Sequence, residues 1–290
     1  MAGVSDLLDR IDRLPALPVT VLRLIPLLGD KETSLDQLHS IVQKDEALSM
    51  AVMKVANSAA FGAPGRTFSL RESVVRLGRR RLKALVMEQQ TASLYAKAGA
   101  SFGLQRGALW RGALAGAFAA EELAGEHGDV PADLAFLCAL LRDVGKIVLD
   151  LQFGAGYVGR VKEELSRGLS FVEAERLAVG FDHAELGAAL ARRWRLPDRV
   201  ADSIRFHHDP PSDPEGQDGL FDVVHAADTL CLWAGLSVGG DGLCYRFSDR
   251  VRTSLSLDRT SADHRIVSMC DRLRQAEEEL GVAVPTGAAA

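Results

Sequence analysis

Residues 131–151 hold the feature that most restricts this fold. Leu134, Ala135, Phe136, Leu137, Cys138, Ala139, Leu140 and Leu141 run into Arg142, Asp143 and Lys146, and Ile147, Val148 and Leu149 follow. A helix apolar on most faces belongs in the middle of a domain. Charge interrupts this one too often for a bilayer span. Arg142, Asp143 and Lys146 therefore sit in or beside a core, where an unpaired charge is costly. They pair with one another, pair with residues from elsewhere, or form part of a site. The segment predicts a single helix starting near Pro131 and closing at the Gly154-Ala155-Gly156 turn.

The remaining chain also reads as helical. Val21, Leu22, Ile25 and Leu28 recur at helical spacing, as do Leu186, Leu190 and Trp194. Ser34 with Gln37, Ser69 with Glu72 and Ser170 with Glu173 are capping boxes, and Asp45 and Asp182 are N-caps. A further helix is expected to run to His207-His208. No stretch alternates with the period of a strand, so the class is all-α. The weak pattern around Gly99 and Gly103 divides an N-terminal helical subdomain, residues 1–100, from a second helical subdomain, residues 101–280. Residues 281–290 are expected to be a disordered tail. Residues 209–219, with three prolines and two glycines, predict a surface loop.

Net charge is -5, which argues against a general nucleic-acid-binding surface. Cys138, Cys231, Cys244 and Cys270 form no CxxC and read as reduced thiols. Neither a signal peptide nor a membrane span is found, so the expected location is the cytoplasm. Phosphate-cradling glycine loops and nucleophile elbows are missing too.

Four polar clusters interrupt the apolar patterns: Asp143 with Arg142 and Lys146, Asp182-His183, His207-His208, and His225 with Asp228. His225 and Asp228 are three apart and share a helix face. Imidazoles and carboxylates are ligands for zinc, iron or manganese, and such a centre activates water. Each cluster, taken alone, also reads as a hydrogen-bonded core group. A second feature is the basic patch Arg76, Arg79, Arg80, Arg81 and Lys83. On a helix these cations spread over more than one face. They read as a solvated helix start, with an acidic partner or nucleic acid as the alternative.

Leu140 to Lys146 resembles the LLHDIGK segment of the HD superfamily of metal-dependent phosphohydrolases. More narrowly, the chain resembles the HDOD family, the HD-related output domain of bacterial signalling proteins. Leu14-Pro15-Ala16-Leu17-Pro18 is similar to that family's entry segment. Ile41-Val42-Gln43-Lys44-Asp45, Val55-Ala56-Asn57-Ser58 and Ser73-Val74-Val75-Arg76-Leu77-Gly78 are similar to its early helices. Asp182-His183-Ala184-Glu185-Leu186-Gly187, Trp194-Arg195-Leu196-Pro197 and Ile204 with His207-His208 match its second half. The resemblance covers roughly residues 14–230 and implies an HD-like helical bundle packed with an N-terminal helical subdomain.

Departures from the pattern bear on mechanism. Arg142 stands where the catalytic dyad has His, while Asp143 remains. No His follows Trp110-Arg111-Gly112, where the superfamily usually supplies another. His183, His208 and Asp228 occupy positions similar to the remaining superfamily sites. Arg142 is a permanent cation, expected to pair with Asp143 and to oppose a divalent ion. The expected protein is therefore a regulator without catalytic residues, metal or cofactor. The resemblance implies a signalling partner: a sensor kinase, a response regulator or cyclic-nucleotide machinery. Arg142, Lys146, His183, His207 and His208 could instead face a small anion, or form a polar core remnant without a ligand. The enzymatic alternative is a divergent phosphohydrolase or phosphodiesterase using Asp143, His183, His208 and Asp228, with His225 as a substitute ligand. A weaker alternative is a nucleic-acid-binding regulator.

Overall fold

The computed structural model describes residues 3–11, 15–27, 30–58, 61, 67–95, 107–127, 129–211, 219–236 and 246–280. The expected boundary at Gly99 to Gly103, the tail at 281–290 and most of the 209–219 loop lie outside these residues. Among them every regular element is helical: α1 (Val4–Arg10), α2 (Val19–Leu24), a 3₁₀ turn (Ile25–Leu27), α3 (Leu35–Val42), α4 (Glu46–Ala56), α5 (Leu70–Tyr95), α6 (Ala108–His127), α7 (Ala132–Leu141), α8 (Val144–Leu165), α9 (Phe171–Val179), α10 (His183–Arg193), α11 (Asp198–Arg205), α12 (Gly219–Trp233), α13 (Asp249–Ser254) and α14 (Arg259–Leu280). No helix among them is long and apolar enough to cross a membrane.

Helix starts follow the sequence signals. Ser34, Asp45, Ser170 and Asp182 each accept a hydrogen bond from the backbone N–H three residues on. These bonds satisfy N–H groups that a helix start otherwise leaves open. Ser69 and Glu72 close a reciprocal box at the start of α5, with Glu72 N–H on Ser69 Oγ and Ser69 N–H on the Glu72 carboxylate.

The greasy segment is not one helix, as its composition suggests, but two. α7 ends at Leu141, α8 begins at Val144, and Asp143 sits at the junction as N-cap. The break allows Arg142 and Asp143 to converge on one site rather than diverge around a continuous helix. α8 is kinked at the expected turn, where Gly154 leaves helical geometry (φ 54°, ψ -149°) and divides it in two. α7 is buried between α6 and α12, and α10 and α11 pack beside α8 and α7. α3, α4 and α2 pack on α5, while α14 lies along α6. One apolar core runs continuously from Leu8 to Ala276.

Two glycines allow α8 and α10 to touch. A Cβ on Gly145 would lie 1.9 Å from the His183 carbonyl oxygen and 2.8 Å from the Gly187 nitrogen. Only hydrogen fits there. The contact brings His183 to Asp143 and Lys146.

Candidate functional site

Arg142 is the pivot, with no exposed surface. Its main partner is Asp228 rather than the expected Asp143. Nε donates to Asp228 Oδ1 at 2.7 Å, whereas Asp143 Oδ2 is 3.5 Å away. Nη1 donates to the Ala139 carbonyl at 2.8 Å and Nη2 to the Gly112 carbonyl at 3.2 Å. Asp143 faces Lys146, whose Nζ is 2.7 Å from Oδ1. The pairing is exchanged because α12 carries Asp228 straight onto the guanidinium, while Asp143 caps α8 one turn before Lys146. Burial pushes the Asp143 carboxyl up, but Lys146 and Arg142 outweigh it and hold the group far below the usual carboxylate range. Burial also opposes the charge of Arg142 and Lys146, and the two aspartates more than restore it.

The histidines form a second layer. His183 Nδ1 and backbone N–H both reach Glu175 Oε2, at 2.6 and 2.8 Å, and the Tyr157 hydroxyl donates to Glu175 Oε1. A carboxylate on Nδ1 fixes that nitrogen as donor. His183 Nε2 is 2.9 Å from His208 Nε2 and 3.5 Å from Asp143 Oδ1, and His208 Nδ1 is 3.4 Å from Asp228 Oδ2. His207 lies against His208 with ring centroids 3.9 Å apart, and its Nδ1 donates to the Ile204 carbonyl. Burial pushes His207 down to about 4 and His208 well below its usual value. The His207-His208 pair sits in the bend after α11, which ends at Arg205.

The structure brings together Arg142, Asp143, Lys146, His183, His207, His208 and Asp228. It separates His225, whose Nδ1 donates to the His207 carbonyl at 2.9 Å and whose Nε2 faces the Ser248 N–H. His225 thus fastens the His207-His208 bend to α12 and does not join the three-imidazole group of His183, His207 and His208, whose ligand atoms lie within 4.8 Å of one another. Glu175 and Tyr157 were not foreseen. The signal for Glu175 was available: Phe171, Ala174, Glu175 and Ala178 share one face of α9, so a carboxylate occupies an apolar stripe. Gly116 was also missed; a Cβ there would lie 2.3 Å from Arg142 Nη1.

The basic run is not a free patch. Arg76 donates to the Phe61 carbonyl and Arg79 to those of Lys31 and Thr33. Arg80 pairs with Glu121 at 3.0 Å, Arg81 with Glu88 and Glu279, and Lys83 with Asp133 at 2.9 Å. These cations join helices rather than presenting a stripe to a polyanion.

The buried pattern of α7, α8, α10 and α12 around one histidine-aspartate centre points to a family. A profile of the HDOD domain matches residues 14–210. The chain belongs to the HDOD family. An HDOD domain protein of unknown function from Geobacter sulfurreducens has the same fold, with TM-score 0.73 and 26% identity over 96% of this chain and 94% of that one. So do a proposed signal transduction protein from Marinobacter aquaeolei VT8 (TM-score 0.73, 24% identity, 96% of this chain, 65% of that one) and a proposed phosphohydrolase from Shewanella amazonensis SB2B (TM-score 0.69, 21% identity, 94% and 97%). An uncharacterized protein of Treponema pallidum (strain Nichols) is 32% identical over 226 residues, 77% of this HDOD chain and 43% of that relative, so the chain spans less than half of its length.

The HD superfamily implies a divalent metal; here its carboxylate donors are engaged by cations, while the imidazoles of His183, His207 and His208 lie together within 4.8 Å. Both aspartates are bound by cations, Asp228 by Arg142 and Asp143 by Lys146. The Nε2 atoms of His183 and His208 face each other at 2.9 Å. His207 Nε2 is buried without a hydrogen-bond partner, and His208 Nδ1 stands 3.4 Å from Asp228 Oδ2. The small-anion reading also loses its two strongest cations, because Arg142 and Lys146 already have carboxylates.

Proposed function

We propose that this HDOD protein is a non-catalytic regulator that acts by binding a signalling partner, with its altered HD centre serving as the rigid core of the binding fold. The observation that carries this reading is the Arg142–Asp228 pair. A guanidinium with no exposed surface donates to the aspartate that would otherwise ligate a metal, and it adds a fixed positive charge where a divalent cation would bind. The family resemblance supplies the partner class: a sensor kinase, a response regulator or cyclic-nucleotide machinery.

The three imidazoles within 4.8 Å favour a second reading, a divergent metal phosphohydrolase. Metal analysis of protein purified without chelator separates the two. The regulatory reading expects far less than one equivalent of iron, manganese or zinc, and no phosphodiesterase activity when these ions are added. Stoichiometric metal that is lost in Asp143→Ala or Asp228→Ala would overturn it. Affinity capture with wild type and Arg142→Ala then tests whether partner binding depends on the centre.

A further inference from the structure

Arg81 stands between two carboxylates on different helices. Its Nη1 donates to Glu88 Oε1 on α5 at 2.6 Å, and Nη2 donates to Glu279 Oε2 on α14 at 2.5 Å. Glu88 has no exposed surface, and its Oε2 has no hydrogen-bond partner. Its charge thus depends on one guanidinium shared with a second acid. The charged groups facing Glu88 are Arg81 on its own helix and Glu279 and Arg272 on α14. From α6, Glu121 and Arg111 stand one ion pair further out, Glu121 on Arg272 and Arg111 on Glu277.

The rest of the α14 seam is built the same way. Arg265 pairs with Glu126 at 2.6 Å, and Ser268 donates to Glu122 at 2.6 Å. Buried apolar contact along α14 comes from Ala262, Met269, Leu273 and Ala276. Beyond Ala276, Glu277 and Glu279 hold the last turn by ion pairs. How firmly that turn is docked is therefore an electrostatic question.

We propose that Glu88, Arg81 and Glu279 form a proton-sensitive latch that sets how tightly the C-terminal end of α14, packed on α6 and α4, is tied to α5 through Arg81. Burial raises the Glu88 carboxyl above its ordinary value, with Arg81 opposing. Undocking α14 admits water to Glu88 and returns it toward that ordinary value. The docked state then holds the proton more firmly, so docking is favoured at low pH and weakens as pH rises through the docked midpoint of Glu88. Above that midpoint the ionised Glu88 competes with Glu279 for one guanidinium. Arg81 stays charged throughout: burial opposes its charge, and Glu88 and Glu279 outweigh burial.

Hydrogen–deuterium exchange of the full chain tests the latch, read on peptides from residues 270–280 and corrected for intrinsic exchange. Between about pH 5.5 and about pH 8.5, wild-type protection should fall by about threefold or more. Glu88→Gln, neutral and of equal size, should stay protected at both ends of the range. Glu279→Gln removes the competing charge and should move the transition to lower pH. Wild-type protection that is flat with pH, or a pH response in Glu88→Gln equal to wild type, overturns the latch. Should Glu88→Gln fail to fold, an unmoved midpoint in Glu279→Gln overturns it.

Discussion

Replacing Arg142 with Met keeps a long apolar stem and removes the guanidinium. The change deletes the 2.7 Å bond to Asp228 and the bonds to the Ala139 and Gly112 carbonyls. Asp143 keeps Lys146 at 2.7 Å, so the loss falls mainly on Asp228 and the two carbonyls. Removing one partner of a buried ion pair costs about 3–5 kcal/mol, because the other charge is left uncompensated. Arg142→Met should therefore lower stability by about 4 kcal/mol, with Tm falling roughly 2–4 °C for each kcal/mol in a chain of this size. Asp228→Asn should cost less, since Arg142 retains Asp143 at 3.5 Å. The decisive measurement is the double variant. With both charges gone, neither is stranded, so urea unfolding should show the double variant about 2 kcal/mol more stable than the sum of the single effects predicts. Additivity within about 0.5 kcal/mol, or an Arg142→Met protein within about 1 kcal/mol of wild type, would refute the claim that Asp228 anchors the guanidinium.

Gly145→Ala should abolish folding or cost more than about 4 kcal/mol, because its Cβ would meet backbone atoms that cannot turn away; Gly156→Ala on the same helix, with nothing within 4 Å of its Cβ, is the control, and soluble yield with urea midpoints reads both. Acid should weaken the fold through the histidine layer. His207 is held down to about 4 by burial, while an unfolded imidazole protonates near about pH 6.5, so stability is complete above that pH and falls by up to about 3 kcal/mol as pH drops toward about 4. His207→Gln should flatten the slope of urea midpoint against pH. Tyr157→Phe removes the donor to buried Glu175 and should cost about 1–3 kcal/mol, again by urea unfolding, with little change in helix content.

Short-range chemistry was legible in the sequence. The boxes at Ser34, Ser69 and Ser170 and the caps at Asp45 and Asp182 formed where residue type and spacing placed them, since each is a contact within three residues. The family could be read as well, because its motifs are strings of neighbouring residues. What could not be read was which charge meets which. Arg142 has an acid next to it in sequence, yet its nearer partner lies 86 residues away on α12. Arg79 and Arg80 are exposed, as a solvated helix start requires, but Arg81 and Lys83 are covered, and the acceptors of the run come from separate parts of the chain that spacing cannot show: residues 31 and 33, Glu121, Glu88, Glu279, Leu27 and Asp133. Periodicity shows that a face is buried, not what it is buried against.

Arg142 and α6 are best understood as one arrangement. The resemblance implies two imidazoles here, one in the dyad and one following Trp110. In their place α6 offers the Gly112 carbonyl, which accepts from Nη2, and the bare Cα of Gly116, above which Nη1 lies too close to admit a Cβ. Gly112 and Gly116 are four residues apart and so share a helix face. The missing histidine and the small residues together make room for a long side chain that carries its own charge. The guanidinium is covalently present, takes Asp228 directly, and leaves Asp143 to Lys146. Arg142→His alone would not restore the pair of imidazoles that the resemblance implies. An imidazole cannot reach Asp228, Ala139 and Gly112 at once, and the α6 ligand would still be missing. Arg142 thus fits the glycine face of α6 opposite it, and the two form one packing unit.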